Sequence, residues 1–225
     1  MFKKLFSSLL LCVLLATMIS LPVSAAPNRT TGSIPLDYDP LPPSTAEIQA
    51  ATARGQRLLR TRARGEISIK RWQQSGQSYS NDLMQTQNVP IGTYGCTLTS
   101  FTMIANYLRG LDYNPGQVNK IVANYACPFY YEQAGSRCSL TLDLHDSSRT
   151  YTTAQLAPIV ADSISNKKRP VMIGMAKGND THFVVAYAYS GELIYIKDPA
   201  SYNYPTLQDY TNQGYIINRV YSYQY

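Results

Sequence analysis

Pro170 divides this chain by hydrophobic period, and that division limits the folds open to it. Ahead of it, apolar residues recur three and four apart, the spacing of helices with one buried stripe. Leu98, Phe101, Ile104, Ala105 and Leu108 form such a stripe along Thr99–Leu108, with Gly110 as its stop. Asn114-Pro115 opens a second helix through Val118, Ile121 and Val122. Thr153 caps a third that holds Leu156, Ile159, Val160 and Ile164. Lys167, Lys168 and Arg169 complement the dipole at its end, and Pro170 closes it. After Pro170 the pattern alternates. Val171–Met175, His182–Tyr189, Glu192–Lys197 and Tyr215–Tyr223 read as strands, with Ser190-Gly191 as a hairpin turn. Helices first and strands later predict an α+β class with an antiparallel sheet, not alternating βαβ units. The chain carries no internal repeat.

The first 25 residues read as a secretory signal peptide. Lys3 and Lys4 supply the positive start, and Leu9–Leu21 is apolar but short for a membrane span. Val23-Ser24-Ala25 is a small-residue cleavage site, which places the cut after Ala25. No other segment approaches the ~18 apolar residues of a spanning helix, so no stable membrane insertion is expected after cleavage. Residues 26–66 form an arm. Pro27–Ser44 is rich in Pro, Ser, Thr and Asp, Thr45–Leu59 has helical character, and Arg54, Arg57, Arg60, Arg62 and Arg64 make a basic run. Two readings of the arm stay open: a solvated linker, or a propeptide with trypsin-like processing sites near Arg64. Residues 67–225 are the compact domain. The sequons Asn28-Arg29-Thr30 and Asn179-Asp180-Thr181 read as chance matches in a bacterial host, because a glycan at Asn179 would crowd His182.

The formal net charge of +6 does not belong to the folded domain. From Trp72 onward, ten Lys and Arg balance ten Asp and Glu, while Pro27–Arg71 has eight basic and four acidic residues. A nucleic-acid footprint on the domain is therefore not expected. Cysteine arithmetic is more informative. Cys12 leaves with the leader, and Cys127 and Cys138 are near enough to pair as a local disulfide. Such a bridge closes a loop of about ten residues and contributes about 2–3 kcal/mol in the chain-entropy model. Two cysteines without a neighbouring His make no tetrahedral metal set. Cys96 remains as an odd thiol in an oxidising compartment, and a reactive nucleophile accounts for one.

A cysteine nucleophile needs a base, an orienter for that base and donors for an oxyanion. Cys96 lies just ahead of the apolar helix, where orphan N–H groups and the dipole favour a thiolate. Gly92 and Gly95 nearby leave room for a substrate backbone. Of the two histidines, His182 opens a strand, whereas His145 sits among Asp143, Asp146, Ser147 and Ser148 in what reads as a solvated loop. Hairpin arithmetic bears on the orienter. A three-residue loop Tyr189-Ser190-Gly191 puts Asp198 opposite His182 on one face; a two-residue turn Ser190-Gly191 puts it opposite Phe183.

Tyr94-Gly95-Cys96-Thr97-Leu98-Thr99-Ser100, with Met103–Leu108 behind it, resembles the start of the C39-like cysteine peptidases of the papain-like superfamily. Gln74-Ser75-Gly76-Gln77-Ser78-Tyr79 looks like their glutamine segment. His182-Phe183-Val184-Val185 and Ile196-Lys197-Asp198-Pro199-Ala200 look like their histidine and aspartate blocks, and Arg169–Ile173 like the strand entry between them. The likeness runs over residues 67–223 in the family's order. It implies a papain-like fold with Cys96 at a helix start and the His and Asp on a C-terminal antiparallel sheet. It implies Cys96 as nucleophile, His182 as general base and then acid, and Asp198 as orienter. The Gln74 amide with the Cys96 N–H would form the oxyanion hole, although Gln73, Gln85 and Gln87 compete on sequence alone. Thr181 stands where the family pattern has Gly. The expected function is a secreted, cofactor-free and metal-free thiol hydrolase, an endopeptidase working on peptide or protein as a monomer. Two rivals share the fold: a transferase passing the acyl group to an amine or thiol, and a non-catalytic surface binding module.

Overall fold

The computed structural model describes residues 37–38, 41–61, 63–200 and 203–225. The expected leader and its cleavage site lie outside the described residues. The first long element is helix α1, Thr45–Arg60. Strand β1, Arg64–Glu66, follows it. Helix α2, Cys96–Arg109, ends at Gly110, whose left-handed backbone (φ 63°) terminates it. Helix α3, Pro115–Val122, starts on a reciprocal capping box between Asn114 and Gln117, with Pro at its first turn. Helix α4, Tyr131–Arg137, and strand β2, Thr141–Asp146, come next. Helix α5, Thr153–Asp162, is capped by Thr152 with Gln155, one residue earlier than the sequence suggests, and runs on into a π-helical turn at Ser163–Lys167. Strands β3 (Val171–Lys177), β4 (Asp180–Ser190) and β5 (Leu193–Lys197), helix α6 (Leu207–Asn212) and strand β6 (Ile216–Gln224) complete the order.

The sheet is antiparallel, β5-β4-β3-β6-β2. β3 pairs with Asp180–Ala186 of β4, and β1 pairs with Ala188–Ser190. β5 overlaps both stretches, so β1 lies on β3's side of β4, beyond the start of β3. The fold is α+β, as the change of period predicts. Each sheet face carries a core. On one, Leu98, Phe101 and Ile104 of α2 pack with Phe183, Val185, Tyr221 and Tyr223. On the other, Ile48 and Ala51 of α1 and Leu156 and Val160 of α5 pack with Ile173, Val184, Ala186 and Ile196. Each such aliphatic side chain contributes about 1.5–3 kcal/mol by burial.

Three findings depart from the sequence reading. Thr141–Asp146 is a strand, not a solvated loop: Leu142 and Leu144 alternate with Asp143 and His145, and Leu144 is buried. Cys127 and Cys138 are not joined by a disulfide. Cys127 is buried in the α2-side core, and α4 intervenes before the half-buried Cys138, which caps that helix. The helix expected in the basic arm forms, but it is seated on the domain and not simply solvated. α1 packs along α5, with bidentate bonds of 2.8 Å from Arg54 to the fully buried Asp162. Among the described residues no helix is long and apolar enough to cross a membrane.

Candidate active site

Cys96 is the first residue of α2 and is buried. Backbone N–H groups in a first helical turn have no intrahelical partner, so they face whatever lies ahead of the helix. Gly95 caps α2 and is required by packing: a Cβ there would stand 2.5 Å from the Ile91 carbonyl oxygen. Gly92 likewise lies close to the Ser80 carbonyl, 3.0 Å from where its Cβ would be. Both glycines thus serve close approach of the chain to itself.

His182 is the third residue of β4, opposite Met175 on β3. Its ring is buried and joins the two layers. Nε2 lies 2.8 Å from Asp198 Oδ1, and the imidazole is also hydrogen-bonded to the Cys96 side chain. With Nε2 on the carboxylate, Nδ1 is the nitrogen left for the sulfur. Burial alone would lower the imidazole pKa. The hydrogen bonds and charges of Asp198 and Cys96 outweigh it and raise the value from 6.5 to about 9. Asp198 is fully engaged. The Ala200 N–H donates to Oδ1 at 2.7 Å, and the Tyr210 hydroxyl donates to Oδ2. Burial pushes this carboxyl up, but the His182 bond and charge, Tyr210 and Ala200 overcome it and hold it below the usual carboxylate range. The Tyr210 ring also lies against His182, at 5.4 Å between centroids.

The contact arises from a register that neither hairpin alternative anticipates. The turn is Gly191-Glu192, so Ser190 pairs with Leu193 and Ala188 with Tyr195. Between Ala188 and Ala186 the register shifts by one, leaving Tyr187 as an extra residue, a β-bulge. Beyond it Ala186 pairs with Ile196 and Val185 with Lys197. One more step puts Asp198 across from Val184, whose side chain shares His182's face, and the carboxylate reaches the imidazole diagonally. Without the bulge Asp198 would fall opposite Val185, which belongs to the other core. The Tyr187 carbonyl is itself tied down by the Ile67 N–H at 3.0 Å.

Gln74 is the buried one among the four glutamines considered. Its Nε2 donates to the Gly92 carbonyl at 3.2 Å, on the short helix Ile91–Tyr94 that leads into Cys96, and its Oε1 has no hydrogen-bond partner. An amide nitrogen carries two N–H groups, so one remains after the Gly92 bond. Gln85 is exposed, and Gln73 and Gln87 are half-buried. His145 stands apart from this constellation, with its Nε2 at the Pro42 carbonyl and its strand paired to Tyr221. The sequence reading missed Tyr210. Thr206 and Asp209 form a capping box that marks α6 in the sequence, but nothing in the pattern shows that its tyrosine reaches Asp198. At Cys138, burial pushes the thiol up to about 11, against a smaller opposing pull from Arg109.

Residues 79–223 match the family model described as the Peptidase_C39 like family. The matched span includes Cys96, His182, Asp198 and Tyr210; Gln74 falls just outside it. No curated protein and no solved structure matches the chain significantly. The match covers well over half of the sequence. The chain belongs to the Peptidase_C39 like family, and its function is of the peptidase type.

Proposed function

We propose that the protein is a secreted cysteine endopeptidase that cleaves peptide bonds through a Cys96–His182–Asp198 triad. The observation that carries this reading is the buried imidazole shared between the Cys96 thiol and the Asp198 carboxylate at the start of α2. In the resting pair the sulfur is a thiolate and His182 an imidazolium. The sulfur attacks the substrate carbonyl, an S–C bond forms, and the carbonyl oxygen becomes an oxyanion. The free N–H of Gln74 and the backbone N–H of Cys96 stabilise that charge. His182 gives its proton to the leaving amine as the C–N bond breaks, which leaves an acyl-enzyme. Water then attacks the thioester while neutral His182 takes its proton and becomes imidazolium; as the S–C bond breaks, the acid departs and the sulfur leaves as thiolate, which restores the resting pair. Asp198 holds the ring throughout and stays ionised. The substrate is a peptide or protein, and the chemistry needs no cofactor. Secretion rests on the leader sequence.

Iodoacetamide at neutral pH is expected to alkylate Cys96 well ahead of Cys138, whose thiol stays protonated there. Cys96→Ala and His182→Ala should each lower cleavage of a protein substrate such as casein by at least about 10³-fold. Product carrying a labelled amine would point to the transferase instead. A Cys96 no more reactive than Cys138, with the secreted protein's binding intact in Cys96→Ala, would leave the binding module as the better reading.

A further inference from the structure

Between β1 and the helix that begins at Cys96, the chain passes through Lys70–Gln74 without regular secondary structure. No ladder fixes its shape, so individual hydrogen bonds must. They run in two directions. Toward the segment ahead of Cys96, Gln74 Nε2 donates to the Gly92 carbonyl at 3.2 Å and Ser80 Oγ donates to the Gln74 carbonyl at 3.0 Å. Toward the carboxylate wall, the Gln74 N–H donates to the Pro199 carbonyl at 2.9 Å, and Arg71 Nε donates to the carbonyl of Asp198. The segment thus bridges both walls of the site and carries the amide proposed to face the oxyanion.

We propose that Arg71 is a positioning residue for that amide, an inference that rests on the function proposed above. Arg71 bonds the backbone carbonyl of Asp198, whereas the Asp198 carboxylate is held by His182, Tyr210 and Ala200. Arg71 therefore fixes the distance between Gln74 and the sulfur while the thiol–imidazole–carboxylate contacts are made by other groups. Oxyanion donors act over a few tenths of an ångström, and a misplacement of ~1 Å costs ~10²-fold. Arginine suits the task because its planar group keeps one fixed donor direction.

Two reagents separate the functions at Cys96. p-Nitrophenyl acetate acylates through a tetrahedral oxyanion; iodoacetamide alkylates by displacement at a saturated carbon and builds none. In the full chain, Arg71→Met is expected to slow acylation of Cys96 by about tenfold or more. Its alkylation rate and the pH dependence of alkylation should stay within about twofold of wild type. Arg71→Lys, which keeps a charged donor on a long stem, should recover part of the acylation rate. On a Gln74→Ala background, Arg71→Met should cost little more. Equal slowing of both reagents, slowing of neither, or additive losses with Gln74→Ala would each overturn the inference. An unfolded Arg71→Met beside an Arg71→Lys of wild-type ratio would overturn it too, because the residue would then serve stability alone. If wild-type Cys96 is attacked by neither reagent in preference to Cys138, the proposed function itself fails, whatever Arg71 does.

Discussion

His182 and Asp198 are two ionisable groups removed from water, and their titrations pull on stability in opposite pH ranges. The folded imidazole titrates at about 9, against 6.5 when exposed, so its stabilising contribution is complete below about pH 6.5 and is lost as pH rises through 9. The Asp198 carboxyl is depressed below its ordinary 3.8, so its contribution is present above that value and disappears as pH falls through the folded pKa. On account of this pair, the urea midpoint should be highest between about pH 4 and 6.5 and decline toward pH 9. Cys96→Ala removes one of the contacts that raise His182, so in that variant the decline should begin at lower pH. An NMR titration of the His182 ring carbons checks the same shift directly, and an unchanged His182 titration in Cys96→Ala would contradict it. At this scale the sequence speaks through scarcity: three cysteines beyond the leader and two histidines leave few pairings. What it withholds is the path by which Asp198 arrives, because a bulge adds a residue without leaving any mark in hydrophobic alternation. Tyr187 looks like any other strand tyrosine.

At the scale of elements, the tightest junction is between α1 and α5. A Cβ on Gly55 would lie 1.7 Å from the Pro158 carbonyl oxygen, so the two helices approach as only a glycine permits. Pro158 lies inside α5, and the junction is flanked by the buried Ile48 and Ala51. In Gly55→Ala the backbones must part, and overpacking of a rigid contact costs about 1–3 kcal/mol or more. For a domain of this size that corresponds to a Tm lower by about 2–12 °C, readable by calorimetry. A Tm within a degree of wild type would mean that α1 is more loosely held than its packing indicates. Helices α3 and α5 are legible because their apolar spacing is regular and a capping residue stands at or beside each start, Asn114 for α3 and, one residue before the Thr153 read from the sequence, Thr152 for α5. Strand β2 was hidden by its own polar face. Asp143 pairs with Lys167 at 2.6 Å and Arg169 at 2.9 Å, and Asp146 accepts from Ser148, Arg149 and Tyr151, so residues that read as solvated are partnered across the fold.

For the whole molecule, the N-terminal segment is a belt. Asp37–Tyr38 pair with Phe129–Tyr130, Ser44 exchanges hydrogen bonds with His145, α1 lies on α5, and β1 joins the edge of β4. Charge and composition describe this stretch as a basic, solvated arm, and such averages do not report a stripe as narrow as Ile48, Ala51 and Gly55. Light trypsin treatment should nick the chain at the exposed end of α1, near Arg60, yet the pieces should stay together in native size-exclusion chromatography. A chain starting at residue 67 should be less stable by about 3 kcal/mol or more, because Asp162 would lose the Arg54 partner of its buried charge. Separation of the nicked piece with no loss of Tm would refute the belt. The extra residue at Tyr187 has a further consequence for how this hairpin can drift in sequence. Facing in a ladder is an odd-or-even property, so Asp198 returns to His182 only if the residues added within the paired stretches of β4 and β5 make an even number. The hairpin tip stays free to lengthen, because the pairs beyond it are kept; behind it the count goes in twos, and a lone extra residue in either strand would need a second bulge to cancel it.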